Sequence, residues 1–194
     1  MTTTSARRMD EIGDESRRRI LDAAEQLFSE KGFEKTSFVD IAALSGISRG
    51  SIPWHFKNKD GLLLAVVERA NQRYMSLDQM SENPSLDEVL ERAGIMTREN
   101  GGRMLFAVLN EALNSDGVVH EEYKAHHVLH RRRIAHWLKF KGVRSEKTRQ
   151  SLSAAILGSI MGISMQWQID PESVDLEASF KALATLVDQY VQSG

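Results

Sequence analysis

The chain has 194 residues, of which 41% are hydrophobic, and it contains no cysteine. This composition allows a substantial apolar core and excludes a disulfide framework, a thiolate metal site and a cysteine nucleophile. Its 25 Lys and Arg residues against 27 Asp and Glu residues give a net charge of −2, which excludes nucleic-acid binding through overall positive charge alone.

The N-terminal segment changes character after its first residues. Residues 1–14 are polar, lack the apolar run of a secretory signal, and are expected to form a flexible arm. Residues 15–31 repeat apolar side chains at helical spacing and predict a helix with one buried face. Gly32 ends this helix.

Residues 37–56 predict two short helices joined by a tight turn. Ser37 and Ser48 are placed to cap the first and second helix, and Gly46 supplies the left-handed residue that the turn requires. This is the pattern of a helix-turn-helix, whose second helix lies in the major groove of DNA. A three-helix core without a DNA contact is the alternative. The residues expected to face outward are Arg49, Gly50, Ser51, Trp54, His55, Lys57 and Lys59.

The charge of this region is balanced, because residues 1–60 hold ten basic and ten acidic side chains. Affinity for DNA would therefore depend on the positions of the basic side chains and not on the net charge of the region. We expect modest affinity for non-specific DNA and a marked dependence on salt.

The remainder of the chain predicts further helices. An apolar stripe follows residue 60, and helical patterns continue to the C-terminus without any stretch that alternates with a period of two. We therefore predict an all-α protein of about nine helices. The expected divisions are the arm, a helix-turn-helix domain over 15–60, and an effector-binding and dimerisation domain over 61–194.

Five of the six histidines lie between residues 120 and 136, within one predicted helix. His127 and His130 share a stripe with Trp137 and are expected to face inward. Three interpretations stay open for them: core histidines with satisfied hydrogen bonds, contacts to an effector, or a metal pair formed by His126 and His130. A small all-α enzyme that uses this helix is a remote alternative for the function.

A G-x-x-x-G pattern at Gly158 and Gly162 allows another backbone to approach closely. We expect this helix and the last one to form a dimer interface as a four-helix bundle, although tight packing inside one subunit would use the same pattern. The apolar run at 154–165 is too short to span a bilayer, which takes about 20 residues, so no membrane contact is expected. The predicted interface residues are Leu157, Gly158, Ile160, Gly162, Ser164, Phe180, Leu183 and Val187.

Methionine and aromatic residues of the C-terminal part could line a cavity for a largely apolar effector, because methionine adapts to irregular ligands. Core packing is the competing interpretation for each of them. With the two histidines, the predicted effector contacts are Met96, Met104, Phe106, His127, His130, Trp137, Met161, Met165 and Trp167.

The run from Gly46 to Gly50 also satisfies G-x-S-x-G, the nucleophile elbow of hydrolases. That motif needs a strand before it and a large parallel sheet around it. A helix precedes it here and the chain has no room for the sheet, so we expect no enzyme of this class.

The matching residues of a known family extend well beyond the turn: Leu27-Phe28, Lys31-Gly32-Phe33, Thr36-Ser37, Asp40-Ile41-Ala42, Ser45-Gly46-Ile47-Ser48, Arg49-Gly50-Ser51-Ile52, Trp54-His55-Phe56 and Lys59-Asp60-Gly61-Leu62. Over residues 17–64 the chain resembles the tetracycline-repressor (TetR) family of transcriptional regulators. The resemblance implies a three-helix DNA-binding domain, a connecting helix, and a C-terminal domain that dimerises and usually binds a small-molecule effector.

Site roles follow from the same resemblance. It implies that Thr36 and Ser37 touch phosphate, that Arg49 and Ser51 face base edges or phosphates, and that His55 and Lys59 contact the DNA backbone. Trp54 either contacts a thymine methyl group or packs. Pro53 departs from the pattern, since the family usually has a backbone-contacting tyrosine there, and we expect a slightly shifted or bent recognition helix.

These observations predict a cytoplasmic, homodimeric, ligand-responsive repressor that binds a palindromic DNA operator, is not an enzyme and needs no cofactor or metal. The complete set of predicted DNA contacts is Thr36, Ser37, Ser48, Arg49, Gly50, Ser51, Trp54, His55, Lys57 and Lys59. An effector-free or partner-controlled regulator, whose C-terminal domain only dimerises, is the alternative.

Overall fold

The computed structural model describes residues 3–75, 85–114 and 117–193, and within these ranges it contains nine α-helices and no strand. The prediction of an all-α protein is confirmed. The helices are α1 (Thr3–Lys31), α2 (Phe38–Ser45), α3 (Ser51–Phe56), α4 (Lys59–Met75), α5 (Leu86–Arg98), α6 (Asn100–Asn114), α7 (Val118–Phe140), α8 (Glu146–Ile169) and α9 (Leu176–Ser193).

Helix α1 begins at Thr3, whereas the sequence pattern placed its start at residue 15. The expected flexible arm over residues 1–14 is therefore helical from Thr3 onward. Polarity suggested the arm, but a polar segment with alanine, arginine, methionine and glutamate also suits a helix exposed on most sides.

The chain divides into two compact units. The first contains the residues up to Ala70 together with 103–120, and the second contains 71–102 and 121–194. The expected boundary after residue 60 thus lies ten residues further on, and a second segment joins the first unit. The cause is the apolar stripe of α4: Leu62, Leu63 and Val66 are completely buried, so this part of the helix belongs to the core of the first unit.

The start of the helix-turn-helix is a complete capping box, as predicted. The Ser37 hydroxyl accepts a hydrogen bond from the Asp40 amide (3.3 Å), and the Asp40 carboxylate accepts one from the Ser37 amide (2.7 Å). Lys31 lies 3.0 Å from the same carboxylate. The Ser37 hydrogen bonds, followed by Lys31, hold the pKa of Asp40 well below its usual value. Gly46 ends α2 at φ 67°, again as predicted.

The start of α3 differs from the prediction. Its N-cap is Gly50, not Ser48, and the Ser48 hydroxyl lies 2.7 Å from the Ser51 hydroxyl in the turn before the helix. Pro53 is therefore the third residue of α3. The amides of a first helical turn have no acceptor within the helix, so this proline removes no helical hydrogen bond.

The core of the second unit is built by α5, α8 and α9, with Ile134 and Leu138 of α7. Its one buried hydroxyl pair among the described residues joins α5 to α8, where Thr97 Oγ1 and Ser164 Oγ lie 2.8 Å apart. Thr97 also donates to the Ala93 carbonyl (2.7 Å), so the pair is satisfied.

The turn between α2 and α3 provides a test of the fold. We expect Gly46→Ala to lower the free energy of unfolding by about 1–2 kcal/mol, because an L residue is strained at this positive φ. The new Cβ would also lie 2.6 Å from the Arg19 guanidinium. Gly50→Ala is the matched control, since Gly50 has φ −69° and open space around it. Urea unfolding of both variants measures the difference, and equal effects would contradict this account of the turn.

Candidate functional site

The exposed face of α3 carries the residue types that read DNA. Arg49 and Gly50 are exposed just before the helix, and the Trp54 side chain is 79% exposed on it. The Trp54 ring meets the His55 ring edge-on at 4.7 Å between centroids. Trp54 therefore does not pack into the core, which removes one of the two interpretations left open for it.

The opposite face of α3 anchors the helix. Ile52 is completely buried and Phe56 is 4% exposed. The Arg17 guanidinium of α1 lies 4.7 Å from the centroid of the Phe56 ring, an arrangement that adds a cation–π attraction. These contacts determine which side of α3 faces outward.

The balanced charge of the first unit is distributed unevenly. Several acidic groups are held in ion pairs: Glu15 by Arg18 (2.7 Å), Asp22 by Arg69 (2.6 Å), and Asp40 by Lys31. Arg49 and Lys57 are exposed and make no ion pair with any residue that the structure describes. The helix-turn-helix thus presents positive charge at α3 although its formal sum is zero.

Lys57, directly after α3, has a strained backbone. Its φ of 66° and ψ of −65° form a γ-turn, in which the Asn58 amide donates to the Phe56 carbonyl at 2.8 Å. Among the described residues it is the one non-glycine residue with positive φ. Such strain persists where the surrounding structure imposes it and is frequent at functional sites.

Two predicted phosphate contacts are engaged inside the protein. Thr36 is 1% exposed, and its hydroxyl donates to the Gly32 carbonyl at 2.8 Å, so the predicted contact of Thr36 with DNA is wrong. Its hydroxyl secures the α1–α2 turn instead. The Lys59 ammonium donates to the Glu34 carbonyl (3.2 Å) and lies 4.2 Å from the Phe33 ring centroid. Lys59 would have to leave both to reach a phosphate.

A groove of about 500 Å³ runs between the N-terminal part of α1 and the exposed face of α3. Sequence reasoning missed Ile12 and Gly13 on the α1 side of this groove, because both were assigned to an arm over residues 1–14. The i,i+4 spacing of Ile12 and Ser16, continuous with the rest of α1, was the available signal. The lining residues are Ile12, Gly13, Ser16, Gly50, Ser51, Trp54 and His55.

A comparison with known protein families agrees with the helix-turn-helix described above. Residues 20–66 match the family described as bacterial regulatory proteins, tetR family. These residues form a domain of the TetR family.

Similar regulators support the assignment. HTH-type transcriptional regulator TtgR of Pseudomonas putida is 38% identical over 105 residues, which cover 54% of this chain and 46% of TtgR. The match to this relative thus spans about half its length. HTH-type transcriptional regulator AcrR of Shigella flexneri is 26% identical over 202 residues, covering 96% of this chain and 94% of AcrR.

The fold of this chain is also found in solved structures. One is NalD, the secondary repressor of the MexAB-OprM multidrug efflux pump in Pseudomonas aeruginosa. It superposes with a TM-score of 0.67 at 25% identity, covering 88% of this chain and 92% of NalD.

Most of the predicted dimer residues lie in the core of the second unit. Five have buried side chains, so they cannot form an exposed interface: Ile160, Ser164, Phe180, Leu183 and Val187. Leu157 is half-buried against the same core. Gly158 and Gly162 do face open space, since a Cβ at either would meet no atom within 4 Å.

The exposed face of the α8–α9 pair carries other apolar side chains. Met165 is 42% exposed, Ile169 71%, Leu186 63% and Tyr190 51%. Five of the eight predicted residues therefore belong to the core, because α8 is apolar on more than one side and periodicity alone did not show which side meets the core.

Helix α8 is long and apolar enough, by length and composition alone, to be a candidate membrane span. It has a row that packs in the core and an exposed row with small and large apolar residues. A helix that packs on two sides has the same composition, so this property does not indicate a membrane.

The histidine cluster of α7 is half-buried. The Tyr123 and His127 rings lie 4.6 Å apart. Burial raises the pKa of Tyr123 to about 12, and burial followed by the charge of Arg133 lowers the pKa of His130 to about 4. These side chains are neutral at pH 7 and suit an apolar neighbour. Within the described ranges, no three histidine or carboxylate groups come together as a metal site.

The other predicted effector contacts differ in how far their side chains are buried. Trp137 and Trp167 pack half-buried against the core of the second unit. Met96, Phe106 and Met161 are half-buried, and the side chain of Met104 lies outside the described residues. Met165 is 42% exposed on α8, so its exposure gives no support to its predicted place in an enclosed pocket.

The strain at Lys57 can be tested directly. We expect Lys57→Gly to be more stable than Lys57→Ala by about 1 kcal/mol, because glycine adopts the positive φ of the γ-turn without steric cost. Both variants lose the same charge, so the comparison isolates the backbone. Thermal unfolding measures the difference, and a less stable glycine variant would show that the γ-turn is not strained.

Proposed function

We propose that this chain is a DNA-binding transcriptional repressor that recognises a palindromic operator as a homodimer. The observation that carries the proposal is the exposed surface at α3, where Trp54 extends from a helix fixed by Ile52 and Phe56 and Arg49 is exposed just before it. A second helix of a helix-turn-helix with such a face suits the major groove.

Each exposed group has a chemical counterpart in DNA. The Arg49 guanidinium can form two hydrogen bonds to guanine O6 and N7, and Trp54 can contact a thymine methyl group. Lys57 and the exposed Ser37 are positioned at the ends of the motif, where phosphates fix the register. Two copies of α3 would enter successive major grooves, so the half-sites should lie about one helical turn apart or slightly more.

The partner for dimerisation is a second copy of the chain, and α8 with α9 is the surface we propose for it. Gly158 and Gly162 of α8 face open space, and Ile169 of α8 and Leu186 of α9 are largely exposed. An apolar face of this kind is costly in water and is expected at an interface.

We further propose that a small, largely apolar effector releases the repressor from DNA. Support comes from the neutral, half-buried His127 and His130 and from the half-buried aromatic residues of the second unit. NalD, one of the similar structures, represses a multidrug efflux pump. An effector acts through its higher affinity for a dimer whose two α3 helices are wrongly spaced. As a regulator of transcription, the protein would work in the cytoplasm and would catalyse no reaction.

The direct test is a fluorescence-anisotropy titration on DNA from upstream of the protein's own gene, at low and high salt. We expect Arg49→Ala to weaken specific binding at least about 30-fold, since each of two copies loses about 1–3 kcal/mol of base readout. Lys139→Ala, which removes an exposed cation on α7, is the control for loss of charge. An Arg49→Ala variant that binds as well as the parent would overturn the assignment. Release by a metabolite extract supports effector control, and selective binding that no extract disturbs favours the effector-free regulator.

His55 gives the complex a predicted dependence on pH. In the free protein, burial and then the charge of Arg17 lower the pKa of His55, so the imidazole is neutral near pH 7. Nearby phosphates favour the protonated form, so the complex takes up protons and binding strengthens as pH falls. We expect affinity to rise about threefold to tenfold from about pH 8 to about pH 6.

The control for this effect is His55→Gln, because a glutamine side chain does not titrate. The dependence should be absent in that variant, measured by the same titration at each pH. An equal dependence in parent and variant would contradict the role given to His55.

A further inference from the structure

Basic residues are concentrated in one segment of the second unit. Residues 124–149 hold nine of the chain's 25 Lys and Arg residues and one of its 27 Asp and Glu residues, which leaves 16 basic against 26 acidic residues in the remainder. An acidic surface repels polyanions, and a concentrated basic surface attracts them. This segment is therefore the part of the second unit that suits a polyanionic partner.

Three of these cations stand together where α7 gives way to α8. Lys141, Arg144 and Lys147 are exposed, and none of them forms an ion pair or a side-chain hydrogen bond with any residue that the structure describes. Phe140, directly before them, is 70% exposed. We call these four residues the basic corner.

The basic corner is built on a turn whose backbone is fixed from both sides. Gly142 has φ 95°, and the Val143 amide donates to the Leu138 carbonyl at 3.1 Å, as in a Schellman motif. From α8, the Arg149 guanidinium donates to the carbonyls of Val143 (2.9 Å) and Arg144 (2.6 Å). A fixed turn lowers the cost of ordering the cations on a partner.

Neighbouring groups leave the charge of the corner in place. Glu146, the one carboxylate of the segment, pairs with Arg149. The Lys141 ammonium lies 5.5 Å from the centroid of the Trp137 ring, a contact that does not neutralise it. Lys139 is exposed as well, but it stands about 200° around the helical backbone from Lys141 and is not part of the corner.

We propose that the basic corner binds the phosphate backbone of duplex DNA without regard to sequence, so that the protein holds a second stretch of DNA beside its operator. Lys and Arg side chains that neutralise phosphates supply this kind of affinity. A protein bound to an operator meets further phosphates at high effective concentration, so a weak second contact is sufficient. The inference goes beyond operator reading, because the corner belongs to the second unit and shares no residue with α3.

The corner suits DNA better than an anionic membrane. A helix that binds at a membrane interface buries a wide apolar face in lipid. Helix α7 instead buries Ile134 and Leu138 in the core of the second unit, and Phe140 is the one apolar residue of the corner. Three cations on a fixed turn, without such a face, fit a phosphate backbone.

Neutralising the corner tests the contact without an operator. Arg49→Ala with Lys57→Ala removes the two unpaired cations at α3, so the remaining affinity for a short duplex of unrelated sequence should come from the corner. In this background we expect Lys141→Gln, Arg144→Gln and Lys147→Gln together to weaken binding at least about tenfold at low salt. The slope of log K against log salt concentration should fall by about 2 to 3, since each phosphate contact contributes about 0.9.

Fluorescence anisotropy of the labelled duplex measures both quantities. No binding in the background, or equal binding before and after neutralisation, would overturn the inference. Lys141→Arg, Arg144→Lys and Lys147→Arg keep the charge and should keep the affinity and the slope.

Two single variants separate a site from a general effect of charge. In the same background, Lys141→Gln should lower the slope by about 1, whereas Lys139→Gln, which removes an exposed cation outside the corner, should leave it unchanged. Equal effects of the two variants would overturn the inference.

Capture of a second duplex tests the contact in the operator-bound protein. The chain is bound to immobilised DNA from upstream of its own gene, and a labelled duplex of unrelated sequence is then added. We expect the parent to retain the labelled duplex. The variant with the three glutamines and an intact α3 should bind the immobilised DNA but retain at most about a tenth of the label. Equal retention would overturn the inference.

The remaining outcomes are distinct. Failure of the parent to bind the immobilised DNA selectively would overturn the proposed function, while the anisotropy test of the corner needs no operator. Vesicles of phosphatidylserine and phosphatidylcholine test the membrane. If neutralising the corner abolishes binding to these vesicles but leaves binding to DNA unchanged, the corner faces a membrane and the inference is overturned.

Discussion

The site depends on one packing constraint: a helix of six residues cannot hold its own conformation in water. Helix α3 has a single turn of internal hydrogen bonds, so its position comes from Ile52 and Phe56, which are buried against the first unit. Because these two side chains point inward, Trp54 must point outward. The constraint also explains the tolerance of Pro53, which stands in a first turn where an amide proton has no helical acceptor.

Local chemistry is the part of this structure that could be predicted from sequence. The capping box at Ser37 and the left-handed Gly46 depend on residues within a few positions of each other, and both were confirmed. The start of α1 was missed because polarity does not distinguish an exposed helix from an arm. The predicted N-cap of α3 was wrong because the Ser48 hydroxyl pairs with the Ser51 hydroxyl in the turn that leads into the helix. Sequence alone does not show this, since serine is also a favoured helix N-cap.

The burial of individual side chains was harder to predict from sequence. Thr36 and Ser37 are adjacent in the sequence and both carry a hydroxyl group, but the Thr36 side chain is buried against the Gly32 carbonyl and Ser37 is exposed. Helix α8 presents the same difficulty on a larger scale, since Ile160 and Ile169 are equally apolar and only the first packs in the core. A helix that is apolar on two sides has two partners, and its hydrophobic pattern does not say which side each partner takes.

The two surfaces of the molecule are connected by an energetic argument. One copy of the helix-turn-helix exposes Arg49 and Trp54, and a good bidentate contact contributes about 1–3 kcal/mol of discrimination between bases. Specific sites are typically bound about 4–10 kcal/mol more tightly than non-specific DNA. One copy therefore falls short of the selectivity that a regulator needs, and two copies held in a fixed relation reach it. On this argument the α8 surface that we propose for the dimer would be as necessary for operator recognition as the exposed face of α3, although it touches no base.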